Sequence, residues 1–126
     1  MYVIDKDISN EIIIKNSKFI TFLFKVETKN EIENKLELIK KTHPKATHYC
    51  YAYITDEFKK SSDDGEPGGT AGLPILNVLE NVELTNILAI VVRYFGGIKL
   101  GAGGLVRAYS KSITEALSKI NYISLK

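Results

Sequence analysis

Apolar and polar positions come in blocks along the chain, and the period of their alternation changes from block to block. Ile8–Ile14 and Phe19–Val26 are rich in β-branched and aromatic residues, and Lys15-Asn16-Ser17-Lys18 between them predicts a hairpin. Thr28 followed by Glu31 is a capping box that opens a helix, and Ile32, Leu36 and Ile39 give that helix one apolar stripe. Pro44 ends it. Thr47–Ile54 reads as a third strand, with His48, Cys50, Ala52 and Ile54 on one side and Tyr49, Tyr51 and Tyr53 on the other. A helix is expected from Leu73-Pro74 to about Asn81, because proline is tolerated in a first turn. Asn86–Phe95 is apolar on both faces and predicts a central strand covered on each side. The last helix is expected from about Gly104 to Ile120, with Val106, Tyr109, Ile113, Ala116, Leu117 and Ile120 buried and Arg107, Lys111 and Thr114 outside. NYISLK at the end begins one more strand. This order of elements means α+β or α/β, most simply a sheet with helices on one face.

The chain of 126 residues is read as a single domain, long enough to bury one core. Its longest apolar run, Ile87–Val92, is too short to cross a bilayer, and MYVIDKDISNE at the start lacks the apolar stretch of a signal peptide. One cysteine excludes an intrachain disulfide, and two histidines with it do not make a zinc site. No metal, cofactor or membrane is therefore expected, and the location expected is cytoplasmic. The net charge of +2 implies no nucleic acid by itself, and nothing signals DNA specifically.

The distribution of two residue types adds more. Fifteen lysines stand against two arginines, Arg93 and Arg107, which points to positions where a planar five-donor fork is needed. All nine glycines fall between Gly65 and Gly104, in two clusters flanking an apolar core strand. Each cluster feeds a helix N-terminus, where free N–H groups and a partial positive charge attract anions. Arg93, Lys99 and Arg107 add full charges beside Gly96, Gly97, Gly101, Gly103 and Gly104. An anion site for phosphate or carboxylate follows. Asp63, Asp64, Gly65, Glu66 and Thr70 form the second loop of the same site, and His48 and Tyr94 are accessory candidates. The competing reading makes the glycines packing and turn devices, with the three acids paired internally to Arg93, Lys99 or Arg107. Gly96–Gly101 has the spacing of a P-loop, but Ala102 and Gly103 stand where Lys and Ser/Thr belong. The run Gly101–Val106 fails the dinucleotide pattern at its valine. Cys50, two residues from His48, reads as core packing rather than a nucleophile. The tyrosine stripe suits either base stacking or an aromatic layer between strands.

HYCYAY at His48–Tyr53, SSDDGEPGGTAGLPIL at Ser61–Leu76 and VVRYFGGIKLGAGGLVRAYS at Val91–Ser110 resemble the signature blocks of the IMPACT family, whose bacterial members include YigZ. Ser17-Lys18-Phe19-Ile20 resembles the family's N-terminal element. The resemblance implies a two-layer sheet-and-helix sandwich, similar to the second domain of ribosomal protein S-five. It also implies a C-terminal ferredoxin-like domain that this chain lacks. Eukaryotic relatives regulate translation under starvation, and no reaction is established for bacterial ones. Gly68 stands where the family's block most often has serine, so no hydroxyl role is carried over there, while Thr70 matches. The resemblance implies a regulatory binding domain rather than an enzyme, with RNA, the ribosome or a translation-associated protein as partner. Two further classes stay open: an enzyme acting on a phosphorylated small molecule, and a purely protein–protein module whose loops are scaffold.

Overall fold

A computed structural model describes residues 1–125. In chain order it contains β1 (Tyr2–Ile4), β2 (Ile8–Ile14), β3 (Ser17–Lys25), α1 (Lys29–Thr42), β4 (His48–Ile54), β5 (Lys59–Ser62), α2 (Gly72–Asn81), β6 (Ile87–Tyr94), α3 (Gly101–Leu117) and β7 (Tyr122–Ser124). The main sheet has the order β2-β3-β6-β4-β5, and every neighbouring pair is antiparallel. A two-stranded ribbon pairs β1 with β7. Lys126, the last residue of the expected C-terminal strand, lies outside the described residues. Among the described residues no helix is long and apolar enough to cross a membrane.

The alternation within the strands fixes which residues meet. Lys15 and Asn16 both take left-handed backbone angles (φ 46° and 67°), so the β2–β3 hairpin closes on a two-residue turn. The capping box of α1 is present: the Thr28 side chain accepts from the Glu31 amide and the Glu31 carboxylate accepts from the Thr28 amide. On β6, Ile87, Ala89 and Val91 join Cys50, Ala52, Leu79, Tyr109 and Ile113 in the larger core. Leu88, Ile90 and Val92 face the other way, into a second core with Ile32, Ile39 and Tyr53.

The α+β sheet-and-helix class is observed, with α2 and α3 layered on one face. The third helix departs from the one-face expectation. The apolar stripe of α1 packs on the opposite face, over the tyrosines of β4 and beside Phe22 and Phe24 of β3. Since β6 carries buried apolar residues on both sides, each side needs a cover. The tyrosine stripe accordingly fills an aromatic layer: Tyr51 and Tyr53 stack at 6.2 Å, and Phe58 meets Tyr53 edge-on. The last helix begins one turn earlier than expected, at Gly101, and buries Leu105 while Val106 is exposed.

Candidate functional site

Both glycine loops leave the sheet at the same end. β5 and β6 each run antiparallel to β4, so they are parallel to one another and their C-terminal ends coincide. The chain from Asp63 to Ala71 follows β5, and the chain from Phe95 to Leu100 follows β6. Between them lies a cavity of about 430 Å³ lined by Thr47, His48, Glu66, Pro67, Arg93, Phe95, Lys99, Leu100, Gly101, Ala102 and Leu105. Two glycines are required by this geometry. A Cβ at Gly96 would lie 2.0 Å from the carbonyl oxygen of Asn16 in the β2–β3 turn, and one at Gly72 would lie 2.7 Å from the Ser62 nitrogen.

Glu66 is the buried centre of the site. Arg93 Nη1 donates to both its oxygens, at 3.0 and 2.7 Å, and the Tyr109 hydroxyl donates to Oε2 at 2.5 Å. His48 Nε2 stands 3.4 Å from Oε1. The other ring nitrogen, Nδ1, is 2.7 Å from the Asp64 carbonyl oxygen, which can only accept, so Nδ1 carries a proton. Arg93 Nη2 donates to the Ser17 hydroxyl at 3.2 Å, and the Gly96 amide donates to the same oxygen. The Arg93 guanidinium lies 5.5 Å from the ring centroids of both Phe19 and Phe95. One donor of the fork, Nε–H, is buried without a partner among the described residues.

Several expected site residues go elsewhere. Arg93 and Arg107 line different cavities. Arg93 is held by Glu66, whereas Arg107 lies on the exposed side of α3 and lines a smaller cavity of about 180 Å³ with Lys15 and Lys111. Tyr94 faces away from the cavity, because side chains alternate along β6, and its hydroxyl meets His43 Nδ1 at 2.6 Å beneath α1. Asp63 and Asp64 bind backbone rather than cations. Asp63 accepts from the amides of Gly69, Ala71 and Gly72, and Asp64 accepts from the amide of Tyr49. Burial works against ionisation of Asp63, but those three amides outweigh it and hold its carboxyl below the usual 3.8. Thr70 donates to the Pro67 carbonyl and stays within its own loop. Gly65 takes φ 86° against the His48 ring, Gly97 and Gly101 take φ 88° and 75°, and Gly103 and Gly104 pack against Arg107 and Leu100. Glu66, Arg93, His48, Lys99 and Gly101 are therefore the expected residues that the cavity brings together.

Ser17, Phe95, Leu100 and Tyr109 belong to the site without having been singled out for it; only their membership of the resembling blocks pointed to them. Cys50 is fully buried, with its sulfur 3.0 Å from the Asp63 carbonyl oxygen and 3.4 Å from the Tyr109 hydroxyl. Burial above all, reinforced by the carboxylates of Glu66, Asp64 and Asp63, pushes its thiol up to about 12. The same burial drives the Tyr109 phenol up.

At the mouth of the cavity α3 starts on Leu100, with no side-chain cap and no acid in its first turn. Its first N–H groups are left without intrahelical acceptors. Exposed cations gather around this end of the sheet: Lys15 and Lys18 on the hairpin, Lys45 before β4, Lys99, Arg107 and Lys111 on or beside α3. None of them forms a salt bridge among the described residues. At the other end a cavity of about 350 Å³ is lined by Glu27, Asp56 and Glu57 together with Lys29, so both signs of charge meet there.

The family model for the Impact N-terminal domain matches residues 15–117. The IMPACT family member YvyE of Bacillus subtilis (strain 168) is 50% identical over 120 residues, covering 93% of this chain and 55% of the relative. The chain thus spans about half the length of the curated relatives it matches. A crystallised hypothetical protein superposes with a TM-score of 0.90 at 37% identity, over 97% of this chain and 62% of the other. The two-domain translational regulator Yih1 superposes with a TM-score of 0.54 at 23% identity, over 94% and 46%, and shares the fold.

Proposed function

The chain belongs to the Impact N-terminal domain family, and on that premise we propose that it is a non-enzymatic, translation-linked binding domain that contacts RNA phosphates. The fold it shares with a translational regulator supports the link to translation. The observation that carries the ligand class is the ring of unpaired cations around the uncapped start of α3, with Lys15, Arg107 and Lys111 along one groove and Lys99 at the cavity mouth. A phosphodiester chain is recognised by such a track through charge and helix N-terminal amides, without base reading. Arg93 contributes as a brace: tied to Glu66 and Ser17, it fixes both loops and leaves the contact to the exposed cations.

Fluorescence anisotropy with a labelled single-stranded RNA at several salt concentrations tests this reading. The logarithm of affinity is expected to fall linearly with that of salt, with a slope of about −0.7 per phosphate neutralised. Arg107→Lys should weaken binding while leaving the melting temperature unchanged, and Lys111→Ala should reduce the slope by roughly one contact. Binding to poly-glutamate but not to RNA would replace RNA by an acidic protein segment. Salt-independent binding, or none to either polyanion, would leave the loops as scaffold.

A further inference from the structure

The cavity behind the basic rim has walls that phosphodiester contact does not require. Pro67, Phe95, Leu100, Ala102 and Leu105 make most of them apolar, and Phe95, whose ring meets Arg93, is 47% exposed. Two observations call for an anion there. The first turn of α3, represented by Gly101 and Ala102, borders the cavity without a side-chain cap. Arg93, 5% exposed, also lines it, and its Nε–H has no acceptor among the described residues. The walls limit which anion. Arg93 and Glu66 cancel, while Lys99 at the cavity and Arg107 beside Gly103 in the same first turn add positive charge to the helix end. Inorganic phosphate would leave the apolar walls uncovered, whereas a carboxylate carrying an apolar group covers them and sets its charge at the helix end.

We infer that this cavity binds a carboxylate bearing an apolar side chain, its oxygens at the start of α3 beside Lys99 and its apolar group against Phe95, Leu100 and Leu105. The volume of about 430 Å³ lies in the range of small-ligand pockets. Such a carboxylate has two sources, the C-terminus of a partner peptide or a free small acid. The site goes beyond the RNA contact, with which it shares Lys99.

The test is amide NMR of the whole ¹⁵N-labelled chain titrated with phenylacetate, phenylacetamide, inorganic phosphate, and an acetylated leucine-terminated peptide in acid and amide forms. Phenylacetate should move the Gly101, Ala102 and Gly103 amides saturably, with the neutral amide weaker by about 5-fold. Lys99→Ala should weaken the acid by about 5-fold and leave phenylacetamide unaffected. A peptide acid tighter than phenylacetate assigns the source to a peptide terminus, and one no tighter assigns it to a small acid. Equal affinity for acid and amide, tighter binding of phosphate, or no movement at tens of millimolar would overturn the inference. Lost RNA binding with these shifts intact would remove the proposed function and keep this site; RNA binding without the shifts would remove this site alone.

Discussion

Glu66 and Arg93 are a buried ion pair, and such pairs are costly to break even where they add little net stability. Glu66→Gln leaves the guanidinium without a counter-charge, and urea unfolding should register a loss of about 3–5 kcal/mol. The double variant Glu66→Gln, Arg93→Met should recover much of it, because the uncompensated charge is gone; an equal or larger loss would assign the cost to packing instead. Cys50 makes a second prediction at this scale. Its thiol ordinarily ionises at 9.0, and folding raises that to about 12. Above pH 9 the unfolded chain therefore releases a proton that the folded chain keeps, so this group's contribution to stability falls as pH rises through that window. Native labelling by iodoacetamide at pH 8 should be far slower than for free cysteine, and comparable rates would refute the buried thiol. The packing of Cys50 was legible because strand alternation sets it among Ala52 and Ile54. Pairing of an acid with Arg93 was one of the readings the sequence supported, but which acid would take it was not legible. Asp63, Asp64 and Glu66 stand within four positions of the same loop, and only its folded path sends one to an arginine and two to backbone amides.

The two helix starts on opposite faces show what local sequence can encode. The cap of α1 lies inside the stretch Thr28–Glu31 and reads directly from it. The start of α2 has no side-chain cap on its own N-cap, Ala71; Asp63, eight residues upstream, reaches across the loop to the amides of Ala71 and Gly72. That bond depends on tertiary structure, so no window of sequence displays it. Asp63→Ala should cost about 0.5–2 kcal/mol in a denaturant titration. The same contribution is complete above the ordinary carboxyl value of 3.8 and is lost as pH falls through the lowered folded value. A stability profile from pH 6 to 2 should therefore fall less steeply in the variant than in the parent, and parallel curves would refute the capping role. β1 and β5 went unpredicted for related reasons. β5 is the polar stretch Lys59-Lys60-Ser61-Ser62 on a sheet edge, and β1 pairs along its length with the last strand of the chain, with one further bridge from Tyr2 to Leu84. The strands and helices with a long apolar pattern were all legible.

At the scale of the whole molecule, a net charge of +2 conceals a local gathering of cations. Those near the starts of β4 and α3 share one end of the sheet, which only the topology defines. The sequence therefore suggested an anion site without saying which cations were free to serve it. The order β2-β3-β6-β4-β5 carries a kinetic consequence as well. The strand at the centre is the last of the five to be synthesised. Until residues 87–94 emerge, the hairpins β2–β3 and β4–β5 have no partner in common, and the facing edges of β3 and β4 stay open. The chain cannot consolidate its sheet stepwise from the N-terminus; it must wait and then close both interfaces around one insertion. Long-range pairing of this kind slows folding. Val91→Ala should accordingly lower the refolding rate as well as stability, with a φ-value of about 0.5 or higher, and a value near 0 would place β6 docking after the barrier. A nascent or truncated chain ending before β6 is, by the same logic, a pair of unsatisfied edges waiting for each other's neighbour, and is the form of this protein most exposed to aggregation.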